Sequence, residues 1–174
     1  MKTQDELTIK TYNESAQQLA DYFAGIGVRI EDIERAFKLS GNHVSAHVVE
    51  IGCGDGRDAA EIIKRTQHYE GFDPSKGLLD LARKRLPAAS FIKANALSYK
   101  YPSNVDVVFS FASLLHSNKD DVEKVLRKVH KTLRIGGIFY ISLKVADSYT
   151  QEVKHDEYGQ RRFYFYNPRI IQDI

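Results

Sequence analysis

His47-Val48-Val49-Glu50-Ile51-Gly52-Cys53-Gly54-Asp55-Gly56-Arg57-Asp58-Ala59-Ala60 is an apolar run that breaks into three glycines and then into helix-forming residues. The apolar run predicts a buried strand and the residues from Arg57 predict a helix, so the chain must reverse within the glycine stretch. Glycine suits that reversal because it adopts the positive φ of a tight turn, lets a ligand approach the backbone and leaves N–H groups pointing at that ligand. A nucleotide-type ligand is implied. The spacing G-x-G-x-G differs from the dinucleotide fingerprint G-x-G-x-x-G, which would need a small residue where Arg57 stands, and so argues against a pyrophosphate cradle.

Outward from this turn, Tyr69 to Phe72, Ala89 to Lys93, Val105 to Ser110 and Gly137 to Leu143 read as further strands. Helical patterns fall at Arg57 to Thr66, Ser75 to Leu86 and Asp120 to Leu133, with Ser75 and Asp120 as caps and Gly136-Gly137 as a stop; the third-to-fourth link lacks a helix. Before the first strand, Tyr12 to Phe23 and Ile30 to Phe37 predict two amphipathic helices around the Gly25-Ile26-Gly27 break. Strands alternating with helices pair in parallel, which predicts an α/β, doubly wound sheet in a single domain.

Asp73 follows the turn by about 20 residues, at the end of the second predicted strand, where a carboxylate can accept from both hydroxyls of a ribose. Alone it could equally cap the helix at Ser75; its spacing from the glycines favours the ribose reading. Net charge is only +2, from 25 basic and 23 acidic residues, so nothing here draws the chain to nucleic acid. The single cysteine, Cys53, excludes an internal disulfide and a multi-cysteine zinc site, and reads as a small turn residue rather than a reactive thiol. Met1 to Ala20 holds no signal-peptide core and no run reaches a membrane span, so a cytoplasmic location is expected.

Val49 to Arg57 resembles the first motif of the class I, seven-stranded S-adenosylmethionine-dependent methyltransferases, and the resemblance runs from about Tyr12 onward. It implies a Rossmann-like sheet of order 3-2-1-4-5, with residues 1–45 as a helical lid, 46–145 as the core sheet and 146–174 as a C-terminal segment. It implies S-adenosylmethionine as methyl donor, S-adenosylhomocysteine as product and a small-molecule acceptor. By that resemblance Glu50 organises the turn, while Gly52, Cys53, Gly54, Gly56 and Arg57 approach the methionine part. Asp73 with Pro74 holds the ribose, and Asn95 with Ala96 meets adenine, Asn95 standing where the family often has Asp. Ser110 and Phe111 line the donor pocket, where enzymes acting on nucleobase amines often carry Asn or Asp followed by Pro-Pro. Tyr12, in Tyr12-Asn13-Glu14-Ser15-Ala16, matches a tyrosine that folds over the cofactor, though a core aromatic fits the same pattern.

His116, just beyond the fourth predicted strand, is the candidate general base if the acceptor needs one; a structural loop histidine is the alternative. Two other classes stay open: a non-catalytic cofactor-binding subunit and a nicotinamide-dependent reductase. Gln160 to Tyr166 is aromatic and basic without clean alternation, and Arg161-Arg162 reads as a solvated pair or as a contact for an anionic acceptor. Asn167-Pro168 then opens a helix with Ile170, Ile171 and Ile174 apolar. The family's two last strands are not found, so the fifth strand is expected to keep an open edge unless Phe163 to Tyr166, or a second copy of the chain, covers it.

Overall fold

The computed structural model describes residues 4–41 and 44–172; Ile174 lies outside them. β1 (His47–Ile51), β2 (His68–Asp73), β3 (Ser90–Lys93), β4 (Val105–Phe111) and β5 (Leu133–Ser142) form one parallel sheet of order β3-β2-β1-β4-β5, as expected. Alternation in the two central strands divides the core. Val48, Val107 and Phe109 face Ile33 and Phe37 of α3 (Ile30–Ser40), whereas Val49 and Val108 face Val122, Val125 and Val129 of α6 (Lys119–Thr132). Each such side chain contributes about 1.5–3 kcal/mol on full burial, so the middle of the sheet is its firmest part.

Three local expectations are corrected. The Arg57 to Thr66 helix contracts to α4 (Ala59–Ile62), because Gly56 sits at φ +76° before it and the Thr66 hydroxyl donates to the Ala46 carbonyl after it, at 2.5 Å. The cap of α6 is Asn118, whose Oδ1 accepts from the Asp121 N–H at 3.0 Å, rather than Asp120. Gly136-Gly137 does not stop that helix: β5 has already begun at Leu133, with Arg134 donating to Asp106 at 2.6 Å and to the Ser40 carbonyl at 2.6 Å. The glycines form an irregularity where partners of β4 jump from Leu133 to Ile138. Ser75 does cap α5 (Lys76–Arg85), accepting from the Leu78 N–H, and Asn167 accepts from the Arg169 N–H at the start of α7 (Pro168–Gln172).

Three helices, not two, precede β1: α1 (Gln4–Glu14), α2 (Ala16–Ile26) and α3. The first is hidden from hydrophobic periodicity because its buried stripe is made of hydroxyls. It packs on a second sheet that the sequence pattern does not announce, of order β6-β8-β7, from β6 (Lys144–Val145), β7 (Thr150–Asp156) and β8 (Gly159–Tyr166). β7 and β8 are an antiparallel hairpin; β6 runs parallel to β8, so Phe165 and Tyr166 pair with the continuation of β5 while β5 itself stays at the edge of its sheet.

Along the edge of β8 that does not face β7, before β6 joins it at Phe165 and Tyr166, side chains replace a neighbouring strand. Arg162 N–H donates to Thr8 Oγ1 at 3.0 Å, Thr11 Oγ1 donates to the Gln160 carbonyl at 2.8 Å and accepts its N–H at 3.0 Å, and Ser15 Oγ donates to the Tyr158 carbonyl at 2.7 Å. Among the described residues no helix is long and apolar enough to cross a membrane.

Thr11→Val should remove both bonds to Gln160 and cost about 2–3 kcal/mol, since a buried unsatisfied backbone group costs about 1–3 kcal/mol. Thr11→Ser should retain most of that stability. Urea unfolding of the two variants checks this, and equal losses would show that the seam is held by packing alone.

Candidate functional site

Gly52 turns the chain at φ +70°, and a Cβ on it would lie 2.0 Å from Ser113 Oγ, so the carboxyl ends of β1 and β4 meet on bare backbone. Gly52 and Cys53 N–H both donate to the Phe72 carbonyl, at 2.8 and 3.1 Å, which clamps the turn against the end of β2. Gly54, at φ +56°, presents open space where its Cβ would project, and its N–H donates to Asp73 Oδ2 at 3.1 Å. Ser75 N–H donates to the other Asp73 oxygen at 2.8 Å. Each Asp73 oxygen therefore keeps one lone pair for a further donor. Burial pushes this carboxyl up to about 6 against the pull of those two N–H groups.

Glu50 is buried and accepts from the Tyr69 hydroxyl at 2.6 Å; burial, then the negative charge of Asp58, pushes its carboxyl up to about 8. Tyr69 can reach it because Gly71 leaves room for the ring to cross β2. Arg57 donates to the Phe23 carbonyl at 2.7 Å and to Asp58 at 2.9 Å, and Asp58 also receives the Arg29 guanidinium at 2.6 Å and its N–H at 3.1 Å. This rivets the end of α2 and the start of α3 to the turn. Burial pushes the Cys53 thiol well up, so it stays protonated and is no nucleophile.

A cavity of about 500 Å³ opens over the turn, and Tyr12, Glu50, Gly52, Cys53, Gly54, Arg57, Asp73, Pro74, Asn95, Ala96, Phe111 and His116 all line it. Two expected members do not. Gly56 packs against Ala82 and Phe91 instead, and Ser110 is fully buried in β4 because alternation turns it away from the crevice, where Ser113 takes its place. Asn95 lines the cavity, but its Oδ1 accepts from the Leu97 and Ser98 N–H groups at 3.0 and 2.8 Å; the carbonyl expected to meet an adenine amino group is engaged by its own turn.

On the far side, His116 Nδ1 lies 2.5 Å from the Arg162 carbonyl and Nε2 lies 2.8 Å from the Tyr12 hydroxyl. A carbonyl can only accept, so Nδ1 carries the proton and Nε2 accepts from Tyr12. Burial holds the ring down to about 4, hence neutral near pH 7. Ser113, Lys144 and Lys154 also line the cavity without any signal in the sequence pattern; Arg161 and Phe163 line it as well, from the aromatic and basic run Gln160 to Tyr166, in which Arg161 has the alternative reading of a contact for an anionic acceptor.

The raised Glu50 carboxyl makes stability depend on pH with a definite sign. A group raised in the folded state from 4.5 to about 8 stabilises fully below 4.5, and that contribution is lost as pH climbs to 8. Asp73 acts in the same sense but only up to about 6, and His116, lowered from 6.5 to about 4, acts oppositely and only below 6.5. Between pH 6.5 and 8, stability should therefore fall by up to about 1.4 kcal/mol per pH unit. Glu50→Gln should flatten that slope in denaturant titrations; an unchanged slope would place the titration elsewhere.

The methyltransferase domain, as a family, matches residues 48–137, a little over half of the chain. A trans-aconitate 2-methyltransferase of Acidovorax sp. (strain JS42) is 34% identical over 70 residues, 39% of this chain and 27% of that protein. A malonyl-[acyl-carrier protein] O-methyltransferase of Serratia marcescens is 25% identical over 128 residues, 73% of this chain and 49% of that protein. The chain thus spans less than half the length of these curated relatives. Among solved structures, the Burkholderia thailandensis 1,6-didemethyltoxoflavin-N1-methyltransferase with bound 1,6-didemethyltoxoflavin and S-adenosylhomocysteine superposes with a TM-score of 0.74 at 17% identity, over 99% of this chain and 77% of that one. A DhpI–SAH complex gives 0.72 at 17%, over 98% and 84%. At such identities the likeness concerns the fold. The family match falls on the strands that carry the turn and its acid, and the chain belongs to the methyltransferase-domain family.

Proposed function

We propose that this chain binds S-adenosylmethionine along Gly52 to Asp73 and directs its methyl group to a small-molecule acceptor. The observation that carries the reading is the bare backbone at Gly54 beside an Asp73 whose two oxygens each keep a lone pair: a cradle for a ligand with paired hydroxyls. The trans-aconitate enzyme, whose name describes methylation of a small acid, supports it. When bound, the sulfonium supplies an already activated methyl group, so the protein has to orient and to exclude water.

The chain's own groups suit that task. Asp73 would hold the ribose, Pro74 and Ala96 would flank the nucleoside, and the Asn95 NH₂, rather than its carbonyl, would face the base. Asp73, ionised above about pH 6, supplies negative charge beside the turn, suited to a cationic ligand, whereas Glu50 stays protonated near neutral pH and Asp58 is offset by Arg29 and Arg57. His116 is neutral and accepts from Tyr12, so it acts as a positioning residue that aims the Tyr12 oxygen into the cavity. Arg57 has its place in the rivet to Phe23 and Asp58, and supports the turn from behind.

Calorimetry with S-adenosylmethionine and with NAD separates methyl donor from nicotinamide cofactor. The first should bind and the second should not, and Asp73→Asn should weaken the first about ten- to a hundredfold, the range for hydrogen bonds to a charged group. Absence of S-adenosylmethionine binding would end this reading. Release of S-adenosylhomocysteine with candidate acceptors separates an enzyme from a non-catalytic subunit.

If His116 acts through Tyr12, Tyr12→Phe and His116→Ala should lower kcat by similar factors, with the double variant no worse than either. Additive losses, or full turnover in His116→Ala, would remove the pair from the mechanism.

A further inference from the structure

We infer that the wall of the cavity opposite the glycine turn is an anion subsite, and that the acceptor it takes is a small carboxylic acid. The inference rests on the cofactor reading above, because it assigns the part of the same cavity that the nucleoside would leave open. Three cations of the second sheet line this wall: Lys144 of β6, Lys154 of β7 and Arg161 of β8. Arg161 decides the matter. Strand alternation separates it from Arg162, whose guanidinium reaches the Tyr164 hydroxyl at 3.1 Å, while Arg161 is only 5% exposed and lies within 5.7 Å of the Tyr12, Tyr158 and Phe163 rings. The pair is therefore not a solvated one.

A buried guanidinium needs partners for its donors. Arg161 has Asp156 at 2.5 Å and the Tyr12 hydroxyl as partners, and its Nε, also buried, has no hydrogen-bond partner. Asp156 is shared with Lys154 at 3.5 Å, so one carboxylate stands against two cations. Lys144 adds a third: its ammonium lies 4.7 Å from the Phe163 ring centre and 5.2 Å from that of Phe165, and no acidic group lies within ion-pair distance of it among the described residues. The other acid on this side, Asp121, already has Lys124 at 2.9 Å and the Asn118 amide at 3.0 Å.

Charge in the cavity is thus polarised. Along the glycine turn most acids are offset or neutral, Asp55 by Arg85, Asp58 by Arg29 and Arg57, and Glu50 by its own raised proton affinity, so Asp73 carries the negative charge there, while the uncompensated positive charge lies on the second-sheet side among aromatic rings that exclude water. Such a wall favours an anion, and the planar fork of an arginine favours a carboxylate it can grip through two N–H groups. The rings around it accommodate a short carbon skeleton. The methyl donor, cationic at sulfur, would then lie between the acidic side and the anionic acceptor.

The test is calorimetry on the protein saturated with S-adenosylhomocysteine, titrated with succinate, with citrate and with neutral dimethyl succinate. Succinate or citrate should bind and the diester should not. Raising NaCl from 50 to 500 mM should weaken the carboxylates several-fold. Arg161→Met should weaken carboxylate binding at least tenfold and Lys144→Met several-fold, with S-adenosylhomocysteine affinity held within about threefold. Lys144 is exposed at the rim, so its variant stays informative if Arg161→Met fails to fold. Carboxylates that do not bind the loaded protein, or that bind both variants like the parent, would overturn the inference. A protein that does not bind S-adenosylhomocysteine would instead overturn the cofactor reading, and carboxylate titration without it would then still decide whether the wall holds anions.

Discussion

The contact between Gly52 and Ser113 is the constraint on which the rest of the site depends. Because Gly52 has no side chain, the loop leaving β4 passes where a Cβ would stand, and the carboxyl ends of β1 and β4 close into one crevice. Open parallel sheets bind ligands where the strand order reverses, and here that point lies between these two strands. Ala112, the residue before Ser113, takes a left-handed φ of +50°, a conformation rare outside glycine, and its N–H is held by Ser142 Oγ at 2.8 Å. Strain at Ala112 and the glycine at 52 are two halves of one close approach.

From that crevice the molecule divides by charge and by origin. The turn side is built from residues near in sequence, and burial there raises Glu50 to about 8, with a further push from Asp58, and Asp73 to about 6. Arg29 and Arg57 stabilise Asp58 there, and in doing so tie the N-terminal helices to the turn. The opposite wall comes from both ends of the chain: α1 contributes Tyr12, β8 contributes Arg161 and Phe163, and the hydroxyl seam of Thr8, Thr11 and Ser15 joins them. His116 sits where the two halves meet, bonded to Tyr12 on one side and to the Arg162 carbonyl on the other.

The turn half was legible because its chemistry needs residue types at fixed local spacing. Gly52, Gly54 and Asp73 act through backbone geometry and one carboxylate, and no distant contact is required to recognise them. Departures from the expected lining have physical causes as well. Ser110 lies outside it because alternation within β4 determines which residues reach the crevice, and Gly56 because a glycine that packs on Ala82 and Phe91 looks the same in sequence as one that meets a ligand. Asn95 lines the cavity, with its carbonyl engaged by two N–H groups of its own turn.

Apolar period and glycine spacing act over a few residues, and they suffice to specify the α/β class, the parallel sheet, the cofactor-type turn and the acid beside it. The other wall depends on contacts between distant parts of the chain. α1 hides its buried face in hydroxyls, β8 mixes rings and arginines without clean alternation, and the side of the strand on which Arg161 falls depends on pairing with β7 and on a helix more than a hundred residues away. Contacts of that range leave no local period to read, and so the half of the cavity that would choose the acceptor becomes visible only when both ends of the chain are folded together.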